Sequence, residues 1–123
     1  MRTNEILKKM KDEKKFLGVF SADNLPKQPV IGGLIVNTDK SDQPGSHWVA
    51  FYATNKRECE YFDPFGNPPL VNDLILFSKK YSMCEFSSRQ IQDINTTICG
   101  QLCIAYLKSR FKGLTMLEIL SSI

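Results

Sequence analysis

The sequence of 123 residues holds one histidine and four cysteines, so nucleophilic chemistry by a thiol with an imidazole base has few ways to be arranged. If an imidazole acts as general base, it is His47. It opens an aromatic-rich strand just after a Pro-Gly-Ser loop, a place from which a rigid scaffold presents side chains to a cleft. Cys99 falls at the expected N-terminus of a helix, where unpaired backbone N–H groups and the positive dipole end stabilise a thiolate. Gly100 follows it and leaves room beside the sulfur for a substrate backbone. Asp63 ends a strand sixteen residues after His47, across a hairpin, where a carboxylate could fix the imidazole tautomer. Gln92 precedes Cys99 by seven residues, and its amide could donate to an oxyanion together with the Cys99 N–H. Gln90 and Gln101 are rivals for that role. Each residue alone has a structural reading: an exposed histidine, a buried core thiol, an Asp-Pro turn initiator. Cys99 and Cys103 share a helix face, with Cys84 and His47 available as further ligands, but no C-x₂-C pair occurs and no metal site is expected.

The elements that would position these groups are legible from periodicity. Residues 3–16 read as a helix capped by Thr3 or Asn4, with Ile6, Leu7 and Met10 on its apolar face. Leu17 to Phe20 reads as extended, and Asp23-Asn24-Leu25-Pro26 as a turn. Val30 to Asn37 is an apolar run of strand length whose Gly32-Gly33 pair signals a close backbone approach. Strands follow at His47–Ala53 and Glu58–Asp63, joined by a turn at Asn55-Lys56-Arg57. A proline-rich corner leads to a helix over residues 69–80 with Pro69 in its first turn and Leu70, Val71, Leu74, Ile75 and Phe77 inward. Cys84–Ser88 reads as a last strand. The clearest helix spans Cys99–Lys112, with apolar residues at 99, 102, 103, 106 and 107. Thr97 is its expected cap and Gly113 its stop. A short helix over Thr115–Leu120 follows. The fold class is α+β: one domain over residues 1–123, a central, mainly antiparallel sheet flanked by helices, and the nucleophile at a helix N-terminus.

Composition sets outer bounds. Hydrophobic residues make up 42% of the sequence, enough for one real core in a chain of this length. No apolar run approaches the roughly 18 residues of a membrane span. The polar, lysine-rich stretch Met1–Lys15 lacks the apolar region of a secretory signal, so an intracellular, reducing location with free thiols is expected. Net charge is +3, and Lys8, Lys9, Lys11, Lys14 and Lys15 concentrate it near the N-terminus. That reads as a solvated helix face or as weak attraction to DNA.

Taken in order, the motifs resemble adenain, the adenovirus-type cysteine endopeptidase. The resemblance rests on Ser46-His47-Trp48-Val49-Ala50-Phe51, on Tyr61-Phe62-Asp63-Pro64-Phe65-Gly66, and on Gln92 followed after six residues by Cys99-Gly100. Phe16-Leu17-Gly18 and Ile35-Val36-Asn37-Thr38 add to it, and it covers roughly residues 16–110. The order of the site residues is shared with the SUMO and ubiquitin-like-protein proteases, and similar sequences are encoded by Polinton/Maverick elements. The resemblance implies that His47 is the base, Asp63 the acid, Gln92 the oxyanion donor and Cys99 the nucleophile. It places Trp48 over a narrow channel for a glycine-containing substrate and pairs Asp23 with the substrate backbone.

The function so implied is a cysteine endopeptidase acting on capsid precursors of a virus or mobile element. It would work as a monomer without a membrane, in host nucleus or cytoplasm and in the virion. No cofactor is needed for the chemistry, but the resemblance implies an activating peptide or DNA; Cys84 lies in the region of the peptide's disulfide, though it reads better as a structural thiol. Adenain is longer after its nucleophile, whereas 24 residues follow Cys99 here. Two rivals stay open: a protease for SUMO, NEDD8 or ubiquitin, and a catalytically silent binding module.

Overall fold

A computed structural model describes residues 1–39, 47–91 and 98–122. Five strands form one sheet in the order β1-β2-β3-β4-β5. They are β1 (Phe16–Ser21), β2 (Gly32–Asn37), β3 (Trp48–Ala53), β4 (Glu58–Phe62) and β5 (Met83–Phe86). The sheet is mixed: β2-β3 and β3-β4 are antiparallel, while both edge strands run parallel to their neighbours. The antiparallel centre matches the expectation from the hairpin signals. The parallel edges follow from the two connections that cross over instead of turning back, residues 22–31 and the segment holding α2.

Alternation along the central strands sorts side chains to two faces. Ile35, Trp48, Ala50, Tyr52 and Phe62 point to α1 (Thr3–Met10), α3 (Cys99–Phe111) and α4 (Met116–Ser121), and pack with Ile6, Met10, Cys103 and Leu107. Leu34, Val36, Val49, Phe51 and Tyr61 point to α2 (Asn72–Ser78) and pack with Leu74, Phe77 and Tyr81.

Several boundaries differ from the periodicity reading. α1 stops at Met10, because Lys11 to Lys15 offers no further apolar residue and Phe16 is drawn into the sheet. Arg2, not Thr3 or Asn4, holds its N-cap position, and the Arg2 N–H donates to Glu5 Oε1 at 3.0 Å. Leu7 stays 45% exposed, so the buried face is Ile6 and Met10 alone. α2 begins at Asn72, since Val71 is extended after two prolines; Leu70 is therefore 73% exposed and not inward. α3 begins at Cys99 with Ile98 at its N-cap position, while Thr97 lies outside the described residues. Its end is as read: Gly113 adopts φ 99°, and the Leu114 N–H reaches Ser109 O at 3.1 Å. Thr115 caps α4 by accepting from the Glu118 N–H at 3.2 Å. The Asn55 side chain fixes the β3–β4 turn, accepting from Arg57 N and Glu58 N at 2.8 and 2.9 Å.

The glycine pair in β2 does what its sequence implied. A Cβ on Gly33 would lie 2.8 Å from Phe111 Cζ and 3.0 Å from Leu107 Cδ2, so α3 packs directly on the strand backbone. Gly32, at φ 131°, passes so close to β1 that a Cβ would meet Lys15 O at 2.6 Å. This tight seat sets the height of α3, and with it the height of Cys99, over the sheet.

Candidate active site

The strand directions bring one end of the sheet together with the start of α3. The C-terminal ends of β1, β2 and β4 and the beginning of β3 all lie at this end. Ala50 sits opposite Phe62, and that register carries His47 toward the Asp63–Phe65 turn. His47 Nε2 and Asp63 Oδ1 are 2.7 Å apart, with side chains only 15% and 7% exposed. The same Asp63 oxygen accepts the Phe65 N–H at 2.8 Å. Behind it, the Asp63 N–H donates to buried Ser87 Oγ at 3.1 Å. The turn thus holds the Asp63 carboxylate while Ser87 holds its backbone, before the side chain meets the imidazole.

With Nε2 committed to Asp63, the other ring nitrogen is left for Cys99, whose thiol lies near enough to interact with His47. The Trp48 N–H donates to Cys99 Sγ at 3.4 Å. Two opposing effects act on each partner. Burial lowers the His47 pKa, but the hydrogen bonds and charges of Asp63 and Cys99 outweigh it and raise the value to about 9. Burial pushes the Cys99 thiol up, yet the His47 bond, the Trp48 and Gly100 N–H groups and the His47 charge bring it below the ordinary thiol value. The two shifts have the directions that favour an imidazolium–thiolate pair.

The remaining candidates divide. Trp48 is buried beside the site; its indole N–H donates to Met1 O at 3.0 Å, and its carbonyl accepts from Cys103 Sγ at 3.4 Å. The room at Gly100 is filled by protein: a Cβ there would lie 3.0 Å from Met1 Sδ and 3.3 Å from Trp48 Cδ1. Asp23 sits in a single 3-10 turn, Ala22–Asn24, at the site end of β1, and its Oδ1 accepts from Ser21 Oγ at 2.9 Å. Gln92 lies outside the described residues. Cys84 pairs in register with Cys59 and packs on the α2 side of the sheet, away from Cys99 and Cys103 on the α3 side. The thiols considered as metal ligands therefore do not converge.

Three residues near the site had no role in the sequence reading. Ser87 backs Asp63, Met1 covers Gly100, and the Phe65 ring stacks on His47 with centroids 4.5 Å apart and planes 15° from parallel. Only Phe65 carried a signal, as part of the Asp-Pro-Phe-Gly stretch. Met1 and Ser87 arrive through tertiary packing that no local pattern reveals.

A comparison with known sequences decides the relationship. The chain is 45% identical over 102 residues to cysteine protease S273R of African swine fever virus (isolate Tick/Malawi/Lil 20-1/1983). This chain is a relative of a viral cysteine protease. The match covers 73% of the chain and 37% of the viral protease, so the chain spans little more than a third of that relative's length. Two crystal structures of the African swine fever virus pS273R protease, one of them the selenomethionine form, share its fold. Their TM-scores are 0.54 and 0.55, at 22% and 23% identity, over 72% and 73% of the chain and 36% and 38% of theirs. No protein-family model matches the sequence. No helix among the described residues is long and apolar enough to cross a membrane.

Proposed function

We propose that the chain is a cysteine endopeptidase in which Cys99 is the nucleophile, His47 the acid–base group and Asp63 the residue that orients it. The observation that carries this reading is the placement of one imidazole between a buried carboxylate at 2.7 Å and a thiol at a helix N-terminus. The kinship with a viral cysteine protease supports it.

The reaction is acyl transfer. The Cys99 thiolate adds to the scissile carbonyl carbon, and the carbonyl oxygen becomes an oxyanion. Backbone N–H groups at the start of α3, with Gln92 as side-chain donor, are its partners in this scheme. His47 gives its proton to the leaving amine as the C–N bond breaks, which leaves a thioester on Cys99. His47 then takes a proton from water; the hydroxide adds, the C–S bond breaks, and the thiolate is restored. Asp63 holds Nε2 throughout, so the imidazole keeps its tautomer and orientation.

The substrates in this reading are capsid precursor proteins cut at glycine-containing sites, as the resemblance to adenain implies, with Trp48 buried beside the sulfur. Asp23, at the same end of the sheet, would pair with the substrate backbone. The activating partner is a peptide or DNA. For the peptide, half-buried Cys84 borders an apolar groove of about 380 Å³ that also includes Pro68, Pro69, Tyr81 and Phe86. For DNA, Lys8, Lys9, Lys11, Lys14 and Lys15 are all exposed. The enzyme would act as a monomer inside infected cells and in the virion.

The test is cleavage of a peptide library, with and without DNA, alongside SUMO- and ubiquitin-like fusions. Cleavage at glycine sites that Cys99→Ala abolishes is the expected result. Selective cleavage of the modifier fusions would make the chain an isopeptidase instead. No cleavage of either, with Cys99 alkylated no faster than the other thiols, would mark a silent binding module.

A further inference from the structure

Phe65 lies one turn beyond the carboxylate and touches the imidazole from a direction that neither Asp63 nor Cys99 occupies. Its ring covers one face of His47, nearly parallel, at a centroid distance of 4.5 Å. Its own N–H donates to the Asp63 oxygen that also holds His47 Nε2. One residue therefore constrains both members of the His47–Asp63 pair.

The turn that carries this ring is locked on both sides. The Gly66 N–H donates to Asp63 O at 2.7 Å, and the Ile91 N–H to Pro64 O at 2.9 Å. Gly66 has φ 77°, and a Cβ there would meet the Arg89 and Gln90 backbone at 2.8 Å. Pro64 fixes its own φ within the turn. The backbone that carries the phenyl ring is accordingly held in place beside the imidazole.

Resting on the assignment of His47 as the acid–base group, we propose that Phe65 is a positioning residue for the reaction, clamping the imidazole between Asp63 and Cys99 and favouring its charged form. Two physical effects underlie this. A ring lying flat on the imidazole blocks rotation about the Cβ–Cγ bond, which would otherwise carry both nitrogens off their partners. The face of a phenyl ring is negative, so it attracts imidazolium more than neutral imidazole. The titratable groups acting on His47 among the described residues are Asp63, from the end of β4, and Cys99, from α3; both also favour the cation. Phe65 adds to them without a charge of its own and without contributing a side-chain donor or acceptor that could compete for either nitrogen.

The sequence contains a single histidine, so its ring resonances can be followed by NMR without assignment ambiguity. In Phe65→Leu, which keeps an apolar side chain but no π face, the His47 midpoint is expected to fall by about 0.5–1.5 pH units. The alkaline limb of kcat/KM should move down with it. At the optimum kcat should drop roughly 3- to 30-fold with KM little changed. Phe65→Trp or Phe65→Tyr should restore both. Stepwise ring fluorination of Phe65, which drains the π face at nearly constant shape, should lower the midpoint in steps and serves if Phe65→Leu does not fold. An unchanged His47 midpoint in folded Phe65→Leu, or across the fluorinated series, would overturn the proposal. The NMR readout does not depend on turnover, so an inactive wild-type chain would refute the peptidase reading separately.

Discussion

At the residue scale, the Asp63 carboxylate is the group whose removal separates geometry from charge. Asp63→Asn keeps an oxygen near His47 Nε2 but loses the negative charge that raises the His47 pKa. The alkaline limb of activity, expected near pH 9 in the wild type, should therefore move toward neutral pH. Below that limb the imidazolium is present; above it the proton for the leaving amine is lost. The acid limb reports Cys99, whose lowered pKa keeps the thiolate available below the ordinary thiol range. Asp63→Ala should reduce kcat/KM by about 10²- to 10⁴-fold, because the Phe65 N–H and the imidazole both lose their acceptor. Peptide hydrolysis followed from pH 5 to 10 checks both variants. The proximity of His47, Asp63 and Cys99 was legible in the sequence because there is one imidazole, a hairpin carries Asp63 back toward it, and Cys99 opens a helix. The Ser87 contact was not legible. It depends on β5 running parallel to β4, which a 24-residue separation in sequence conceals.

At the element scale, the seating of α3 on β2 decides where the thiol stands. Gly33→Ala pushes a methyl group against Phe111 and Leu107, side chains that can shift, and should cost about 1–3 kcal/mol in urea unfolding. Gly32→Ala should cost more. Its Cβ meets a backbone oxygen, and its φ of 131° is one that an L side chain rarely adopts. Reversal of that order would mean that the strand, rather than the helix, yields. The sequence showed α3 clearly, because thirteen helical residues repeat their apolar stripe and end in a glycine. α2 was read too long for the converse reason. The Pro68-Pro69 corner suits a helix start, but Val71 remains extended and only seven residues complete the helix. The end of α1 was missed because lysine and glutamate are good helix formers, and only pairing of Phe16 with the sheet tells the chain where to stop.

At the scale of the whole molecule, one sheet separates two cores, and both lean on the same three central strands. Leu107→Ala on one side and Leu74→Ala on the other should each cost about 2–5 kcal/mol. Because β2, β3 and β4 contribute side chains to both cores, the two substitutions should shift one common unfolding transition. Separate transitions for the two variants, seen by circular dichroism in urea, would show that the faces melt independently. Beneath α3, the Arg110 guanidinium pairs with Glu60 at 2.8 and 2.9 Å, and Tyr106 donates to the same carboxylate. Glu60→Leu should lower stability by about 2 kcal/mol, since Arg110 is left part-buried without its acceptor. The α+β plan, a sheet flanked by helices, could be read from periodicity, but its parallel edges could not, because strand direction at an edge is set by crossover path and leaves no local mark.

Trp48 gives the molecule an optical property. It is the sequence's one indole, its N–H is bound to Met1 O, and its backbone touches the Cys99 sulfur. All tryptophan emission from this chain therefore originates beside the candidate site. Acylation of Cys99, or displacement of Met1 by an incoming substrate, should alter that emission directly, so the protein carries its own unlabelled fluorescent gauge of site occupancy.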